Sequence, residues 1–378
     1  MKIVFWLAVF LIVYSYFGYP IILMILGTVK RKKINKKEIT PTVSLLVLAY
    51  NEEKVIREKI ENSLDLDYPG DKLEIVVASE STDKTNEIVR EYTEQGIILY
   101  SFKKREGKQV MIYRVIPLLK GEIVVLSDAS ALYKKDALRK LVKDFNDPTI
   151  GCVCGELKYL NPQGVSIGET EGLYWRYETF IRKLESKVHS VLGASGSIYA
   201  IRKKLYVPIS KYRGDDFEIP IKIAQQGYGV ILEPEAVSFE KTSSTTKEEF
   251  RRKVRIVAWF WKSTLILIKD SLKPFKGLLI FQLISHKLLR WLVPLFLALL
   301  FISNIFLTSY LLYRILLLAQ IIFYLLSFWG YIEDQRKNKL NRIINVPYYF
   351  SMVNFAAFLG FCKFILGRQG NVWEKTRV

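Results

Sequence analysis

An uncharged apolar run from about Ile3 to Val29 constrains this chain more than any other feature. As a helix it is long enough to cross the roughly 30 Å of hydrocarbon in a bilayer. A cleaved leader has a shorter apolar region and a small-residue cleavage site, and neither is evident. Pro20 inside the run predicts a kink, which membrane helices tolerate. Lys30, Arg31, Lys32, Lys33, Lys36 and Lys37 follow directly. This basic run predicts an outside N-terminus and a cytoplasmic continuation.

Apolar character returns after about Ser263. Leu272–Arg290 mixes Lys, His and Arg with Leu, Ile and Phe, and reads as an amphipathic interfacial segment. Trp291–Leu307 and about Leu311–Ile332 are candidate spans. Val346–Leu366 is a third, with basic residues on both flanks that suit a re-entrant helix as well as a crossing. The expected organisation is an N-terminal transmembrane helix over 1–29, a cytoplasmic catalytic domain over 30–262, and interfacial and transmembrane helices over 263–378. Together these describe a multi-pass protein of the cell membrane.

The formal net charge of +19 suits nucleic acid, anionic lipid or a phosphate-rich substrate. Its placement favours the last two. Arg251, Arg252, Lys253 and Arg255, then Arg336, Lys337, Lys339 and Arg342, border apolar segments, where basic clusters meet membrane lipids. There is no zinc-finger spacing and no nucleic-acid motif, so nucleic acid is not an expected partner. Cys152 and Cys154 sit in an apolar run that reads as a buried strand, and Cys362 stands alone, so free thiols are expected. With only His189 and His286, a histidine metal site is not expected.

Between the apolar ends the pattern is α/β. Val43–Leu48, Leu73–Ala78, Ile97–Phe102 and Glu122–Leu126 are short β-rich runs separated by helix-like stretches. That alternation predicts a mostly parallel sheet with crossover helices. Ligands then bind at the carboxyl ends of the strands, where the polar loops at Asn51, Ser79 and Asp128 fall. Charged residues recur at such ends: Glu80, Lys108, Asp128 and the pair Asp215-Asp216. A nucleotide-diphosphate donor needs a hard cation on carboxylate oxygen and cationic side chains near its phosphates. It also needs a carboxylate base for an acceptor hydroxyl. This set can supply all three. Singly, each residue reads as readily as a turn or helix cap.

The order of the motifs is more specific. Val47-Leu-Ala-Tyr-Asn-Glu-Glu53, Val76-Val-Ala-Ser-Glu-Ser-Thr-Asp83, Gly107-Lys108, Ser127-Asp-Ala-Ser130, Gly193-Ala-Ser-Gly-Ser197 and Asp215-Asp-Phe-Glu218 occur in that sequence. In this the chain resembles the membrane-bound family 2 glycosyltransferases, the group of cellulose, hyaluronan and poly-N-acetylglucosamine synthases. The resemblance implies a GT-A fold and inverting transfer from a nucleotide-diphosphate sugar, a UDP-sugar first, with Mn²⁺ or Mg²⁺ as cofactor. Asp128 matches the metal-binding acid. Ala49, Asn51, Glu53, Glu80 and Lys108 match donor contacts, as do Arg252 and Arg255. Asp216 matches the general base, beside Asp215. Trp175, Tyr177 and Glu178, with Gly196 and Ser197, form the expected acceptor side. A packed structural helix is the alternative reading of the segment around Trp175.

Three departures stand out. Ser130 replaces an acid, Glu80 replaces an Asp-Gly pair, and Arg252-Lys-Val-Arg-Ile256 lacks the Gln and Trp of processive synthases. Trp373, Thr376 and Arg377 resemble a C-terminal segment near the donor, and read equally as an interface anchor. Extension of a cell-surface polysaccharide, with or without its secretion, is the leading expectation. Single-sugar transfer to a lipid-linked acceptor comes second. A non-catalytic membrane component of a polysaccharide export complex is the third.

Overall fold

The computed structural model describes residues 1–29, 34–160, 166–209, 214–241, 245–336 and 340–367; Trp373, Thr376 and Arg377 lie outside the described residues. The N-terminal apolar run forms one helix, α1 (Lys2–Val29), with a π-turn at Tyr14–Gly18. The cause is local. Pro20 has no N–H, so the carbonyl four residues earlier, on Tyr16, loses its helical donor. The Tyr177 hydroxyl donates to that carbonyl at 2.5 Å instead.

The four expected strands form within two residues of their expected ends. They are β1 (Val43–Ala49), β2 (Leu73–Ser79), β3 (Ile97–Ser101) and β4 (Ile123–Asp128). Helices α2 (Ile56–Leu64), α3 (Thr85–Arg90) and α4 (Lys108–Val115) connect them. All four strands pair in parallel. β1 is buried along its whole length, as suits a parallel strand covered on both faces. Val43, Leu45 and Val47 face Ile56 and Ile60 of α2 in one apolar layer. Leu46 and Leu48 belong to the other layer, with Met111 and Ile112 of α4.

Of the second half of the sheet, only the strand around Cys152 and Cys154 was anticipated. β5 (Leu132–Tyr133), α5 (Ala137–Val142), β6 (Ile150–Leu160), α6 (Ser166–Val188) and β7 (Tyr199–Arg202) lead to α7 (Asp215–Gln225) and β8 (Gly229–Lys241). The eight-stranded order is β3-β2-β1-β4-β7-β6-β8-β5. β7 runs antiparallel to both β4 and β6, and β5 runs antiparallel to β8, while β6 and β8 are parallel. The sheet is therefore mixed, with mostly parallel strands. Cys152 and Cys154 are buried free thiols on β6, as expected.

Helix α8 (Thr246–Asp270) starts at Thr245, whose hydroxyl accepts from Glu248 N–H at 3.2 Å as an N-cap. After it come α9 (Gly277–Ile305), α10 (Leu311–Gln335) and α11 (Arg342–Ile365). With α1, these are the four helices among the described residues long and apolar enough to cross a membrane. Here the structure differs from the expectation of an interfacial segment ending at Arg290. α9 is continuous through that point, because His286 and Arg290 turn inward to carboxylates of α6. α11 is more embedded than a lone span, with Tyr349, Met352, Ala356 and Ala357 buried.

Candidate active site

A cavity of about 450 Å³ opens at the carboxyl ends of β1, β2 and β4. Its walls are α4, the Gly193–Ser197 loop, the first turn of α7, and parts of α6, α8 and α9. Of the expected site residues, Ala49, Glu80, Lys108, Asp128, Trp175, Glu178, Gly196, Ser197, Asp215, Asp216, Arg252 and Arg255 line it. Asn51, Glu53 and Tyr177 do not.

Lys108 is the centre of the charge arrangement. It opens α4 after Gly107, whose φ of 100° favours glycine. Its ammonium lies 2.7 Å from Asp128 Oδ1 and 3.3 Å from Asp215 Oδ2, and its side chain is 10% exposed. Burial works against the charge, but Asp128, Asp215 and Asp216 hold the ammonium far above its ordinary range. Asp215 is buried and also accepts from the Tyr199 hydroxyl at 3.0 Å.

Asp216 is the more open of the pair and faces the cavity. Burial and the adjacent Asp215 carboxylate push its carboxyl up to about 7, with Lys108 opposing and Asp128 adding to the rise. The Gly193–Ser197 loop links the two acids. Ala194 N–H donates to the Asp216 carbonyl at 2.6 Å, and Asp128 N–H donates to the Gly196 carbonyl at 3.1 Å.

Gly196 is there for space. A Cβ on it would stand 2.9 Å from Asp128 Oδ2 and 3.3 Å from Lys108 Nζ. Gly196→Val is therefore expected to displace both groups. Overpacking of this kind costs about 1–3 kcal/mol of stability, and with both groups displaced donor affinity is expected to fall roughly tenfold. Titration of a nucleotide diphosphate checks this, and unaltered affinity overturns it.

The loops after β1 and β2 are stapled together. Asn51, at φ 54°, donates its N–H to Ser81 Oγ at 2.8 Å, and its Oδ1 accepts from Thr82 N–H at 2.8 Å. Glu53 accepts from Lys84 N–H at 3.2 Å. Glu80 accepts from the N–H groups of Glu106 and Gly107 at 3.0 and 2.8 Å, so it fixes the turn that launches Lys108. The Arg105 guanidinium lies 3.7 Å from the Tyr50 ring centroid, and both line the cavity.

On the expected acceptor side, Trp175 Nε1 donates to the Leu157 carbonyl at 3.0 Å. Tyr177 is the tether to α1 described above. Glu178 is paired with Arg290, and one of its oxygens lies 3.3 Å from His286 Nε2. Ser197 hydrogen-bonds Ser195 and Ser238 at 2.8 and 3.0 Å. Arg252 donates to Glu249 and to the Tyr159 hydroxyl.

A divalent cation fits Asp128 in a limited sense. One oxygen is held by Lys108, the other lies above the bare Cα of Gly196, and the side chain is 30% exposed. Among the described residues no group of three acids, thiols or imidazoles is placed to hold a metal alone. Such a cation would share its remaining ligands with diphosphate oxygens and water.

Sequence reasoning missed Lys59, Tyr199, Arg182 and Lys287. Lys59 sits in an ordinary charged helical stretch, yet it is fully buried beneath the Asp128 loop. Its ammonium donates to the Ala131 carbonyl at 2.6 Å and lies 3.8 Å from the Tyr133 ring centroid. Burial pushes its amine down to about 7. A charge on a helical face carries no local signal of such burial.

Comparison with known proteins gives a consistent picture. A family model described as "Glycosyltransferase like family 2" matches residues 41–258. A probable glycosyltransferase of Bacillus subtilis, YdaM, is 28% identical over 267 residues, 64% of this chain and 60% of that protein. The poly-β-1,6-N-acetyl-D-glucosamine synthase of Staphylococcus aureus is 24% identical over 65% of this chain and 60% of its own length. The β-monoglucosyldiacylglycerol synthase of Nostoc is 36% identical over 118 residues, 30% of this chain and 25% of that one. The matches thus span less than two thirds of these relatives. Among solved structures, a mannosyltransferase from Pyrobaculum calidifontis, in complex with GDP-Man and Mn²⁺, superposes with a TM-score of 0.72. It is 23% identical, with 97% of this chain and 99% of that one covered, and the likeness shows a shared GT-A fold.

Proposed function

The chain belongs to the glycosyltransferase-like family 2, and from that premise we propose that it transfers a single sugar, with inversion, from a nucleotide-diphosphate sugar to a lipid-linked acceptor at the membrane. One observation carries the reading: the cavity that holds Asp128, Lys108 and Asp216 is also walled by Lys287 and Trp291 of α9, a helix able to span a bilayer. The missing Gln and Trp around Arg252–Ile256 support one transfer over many. A basic flank at Lys36 and Lys37 supports a cytoplasmic position for the site.

In this reading Asp216 accepts the proton of the acceptor hydroxyl as its oxygen attacks the anomeric carbon. The bond from that carbon to the diphosphate breaks on the opposite face, and the diphosphate leaves with the electron pair. Inversion follows without a covalent intermediate. Lys108 holds Asp128 and Asp215 in place and keeps positive charge near the leaving group. Arg255 and Arg105 line the donor side. The neighbour's Mn²⁺ supports a divalent cation that Asp128 would hold, and such an ion would neutralise charge on the leaving diphosphate.

Polysaccharide extension is the second reading, supported by the likeness to the Staphylococcus synthase. Radiolabelled donor separates the two: one added sugar is expected, and a ladder of products favours extension. Loss of transfer in Asp128→Ala is expected with either. Transfer that persists in that variant overturns the site assignment.

A further inference from the structure

The ionic groups between α6 and α9 do not balance. Glu178, Arg182 and Glu185 share one face of α6, at spacings of four and three residues. The two carboxylates are fully engaged. Glu185 accepts from the Tyr19 hydroxyl at 2.6 Å, pairs with His286 Nδ1 at 2.7 Å, and accepts from Leu192 N–H at 3.1 Å. Glu178 pairs with Arg290. Arg182 has neither of them. Its side chain is 95% buried by its 5% exposure, and none of its three guanidinium nitrogens has an oxygen or nitrogen acceptor. Its neighbours are the Cys154 thiol, a weak acceptor, and the Trp175 ring at 6.0 Å. Lys287 of α9 stands near enough to Arg182 for mutual repulsion. Both line the active-site cavity beside Trp175 and Trp291.

Leaving a guanidinium buried and unpaired is costly, and proteins keep such groups where a ligand completes them. A guanidinium and an ammonium lining one cavity present many donors of the kind that match phosphate oxygens. The donor's diphosphate has its own candidates, Lys108 and Asp128. We propose that Arg182 and Lys287 seat a phosphate group borne by the acceptor lipid, next to the sugar-transfer centre. This rests on the reading of the cavity as a glycosyltransferase site. It adds to that reading the chemical class of the acceptor: an amphiphile with a phosphate between its apolar stem and the hydroxyl that attacks. Trp175 and Trp291 would flank the apolar stem where it meets the headgroup.

The test uses the full chain in nanodiscs, with an isoprenoid monophosphate and the isoprenoid alcohol of the same length as probes. Inorganic phosphate, and a nucleotide diphosphate with Mn²⁺, are titrated separately. In the native protein the lipid phosphate is expected to bind about tenfold or more tightly than the alcohol, as charge-assisted hydrogen bonds predict. Arg182→Met is expected to abolish that preference and Lys287→Gln to reduce it. Both variants should keep the native affinity for the nucleotide diphosphate. Inorganic phosphate that competes with the lipid phosphate but not with the nucleotide supports the same seat.

Arg182→Met should also unfold at no lower temperature than the native protein without ligand, because it removes an unpaired buried charge. Equal binding of alcohol and phosphate overturns the proposal. So does a parallel loss of nucleotide affinity, which would give these residues to the donor, and so does a marked fall in unfolding temperature, which would make Arg182 structural. If the nucleotide diphosphate does not bind at all while the lipid phosphate is still preferred, the anion seat stands and the transferase reading falls.

Discussion

Asp216→Asn is expected to lower turnover by about 10²–10⁴-fold, the usual contribution of a positioned general base, with nucleotide-diphosphate affinity unchanged. The amide keeps the shape of the side chain and its place on α7. The backbone carbonyl of Asp216 still accepts from Ala194, so the loop over Asp128 keeps its anchor. What disappears is the proton acceptor. Single-turnover rates set beside equilibrium binding make the separation. A variant that keeps more than about a tenth of its turnover is not missing its base.

The same carboxyl predicts a pH profile. A base works only when deprotonated, so kcat/KM should climb as pH rises and level off above about 7, the value to which burial and Asp215 push Asp216. Stability runs the other way. The folded-state value lies above the unfolded one, so the fold favours the protonated acid. The resulting penalty grows as pH rises from about 4, the unfolded value, through about 7. Asp216→Asn should therefore be more stable than the native protein at pH 8 and no more stable near pH 4. Thermal unfolding at the two pH values checks the sign. Loss of activity with gain of stability is hard to produce by misfolding, which makes this pair of measurements discriminating.

The legible parts of the molecule share a physical basis. β1 to β4 announce themselves because strands buried on both faces need unbroken apolar runs, and the polar loops that follow them must lie at one sheet end. Asp128 ends β4, Lys108 opens α4 and Asp216 lies in the first turn of α7, and the structure brings them into one cavity. The antiparallel strands were illegible for the opposite reason. β7 is four residues long and takes its place from pairing with distant β4 and β6 rather than from its own pattern. His286 misled in a further way. Charged residues in amphipathic stretches usually face water or headgroups, and here α9 turns His286 toward carboxylates of α6. Tyr177 was read as an acceptor contact from its neighbours in sequence, while the missing N–H of Pro20, more than a hundred residues away, decides what its hydroxyl does.

Lys108→Met should damage stability and donor binding together, unlike Asp216→Asn. The ammonium stands between Asp128 and Asp215 with little exposure. Removing one partner of a buried ion pair costs about 3–5 kcal/mol, because the remaining charge is left without compensation. Here more than one carboxylate loses its ammonium, and Asp216 lies on the same cavity wall. The unfolding temperature is expected to fall clearly at pH 7. Lys108→Arg should not restore donor binding. The space beside the native ammonium is so tight that a single Cβ on Gly196 would come within 3.3 Å of it, and a planar guanidinium is larger. Added Mn²⁺ gives the sharpest contrast. Carboxylates released from the ammonium become oxygen ligands for a hard cation. Mn²⁺ should then raise the unfolding temperature of Lys108→Met more than that of the native protein, without recovering turnover. An unchanged unfolding temperature and native donor affinity in Lys108→Met would show that the ion pair neither holds the site together nor prepares it for the diphosphate.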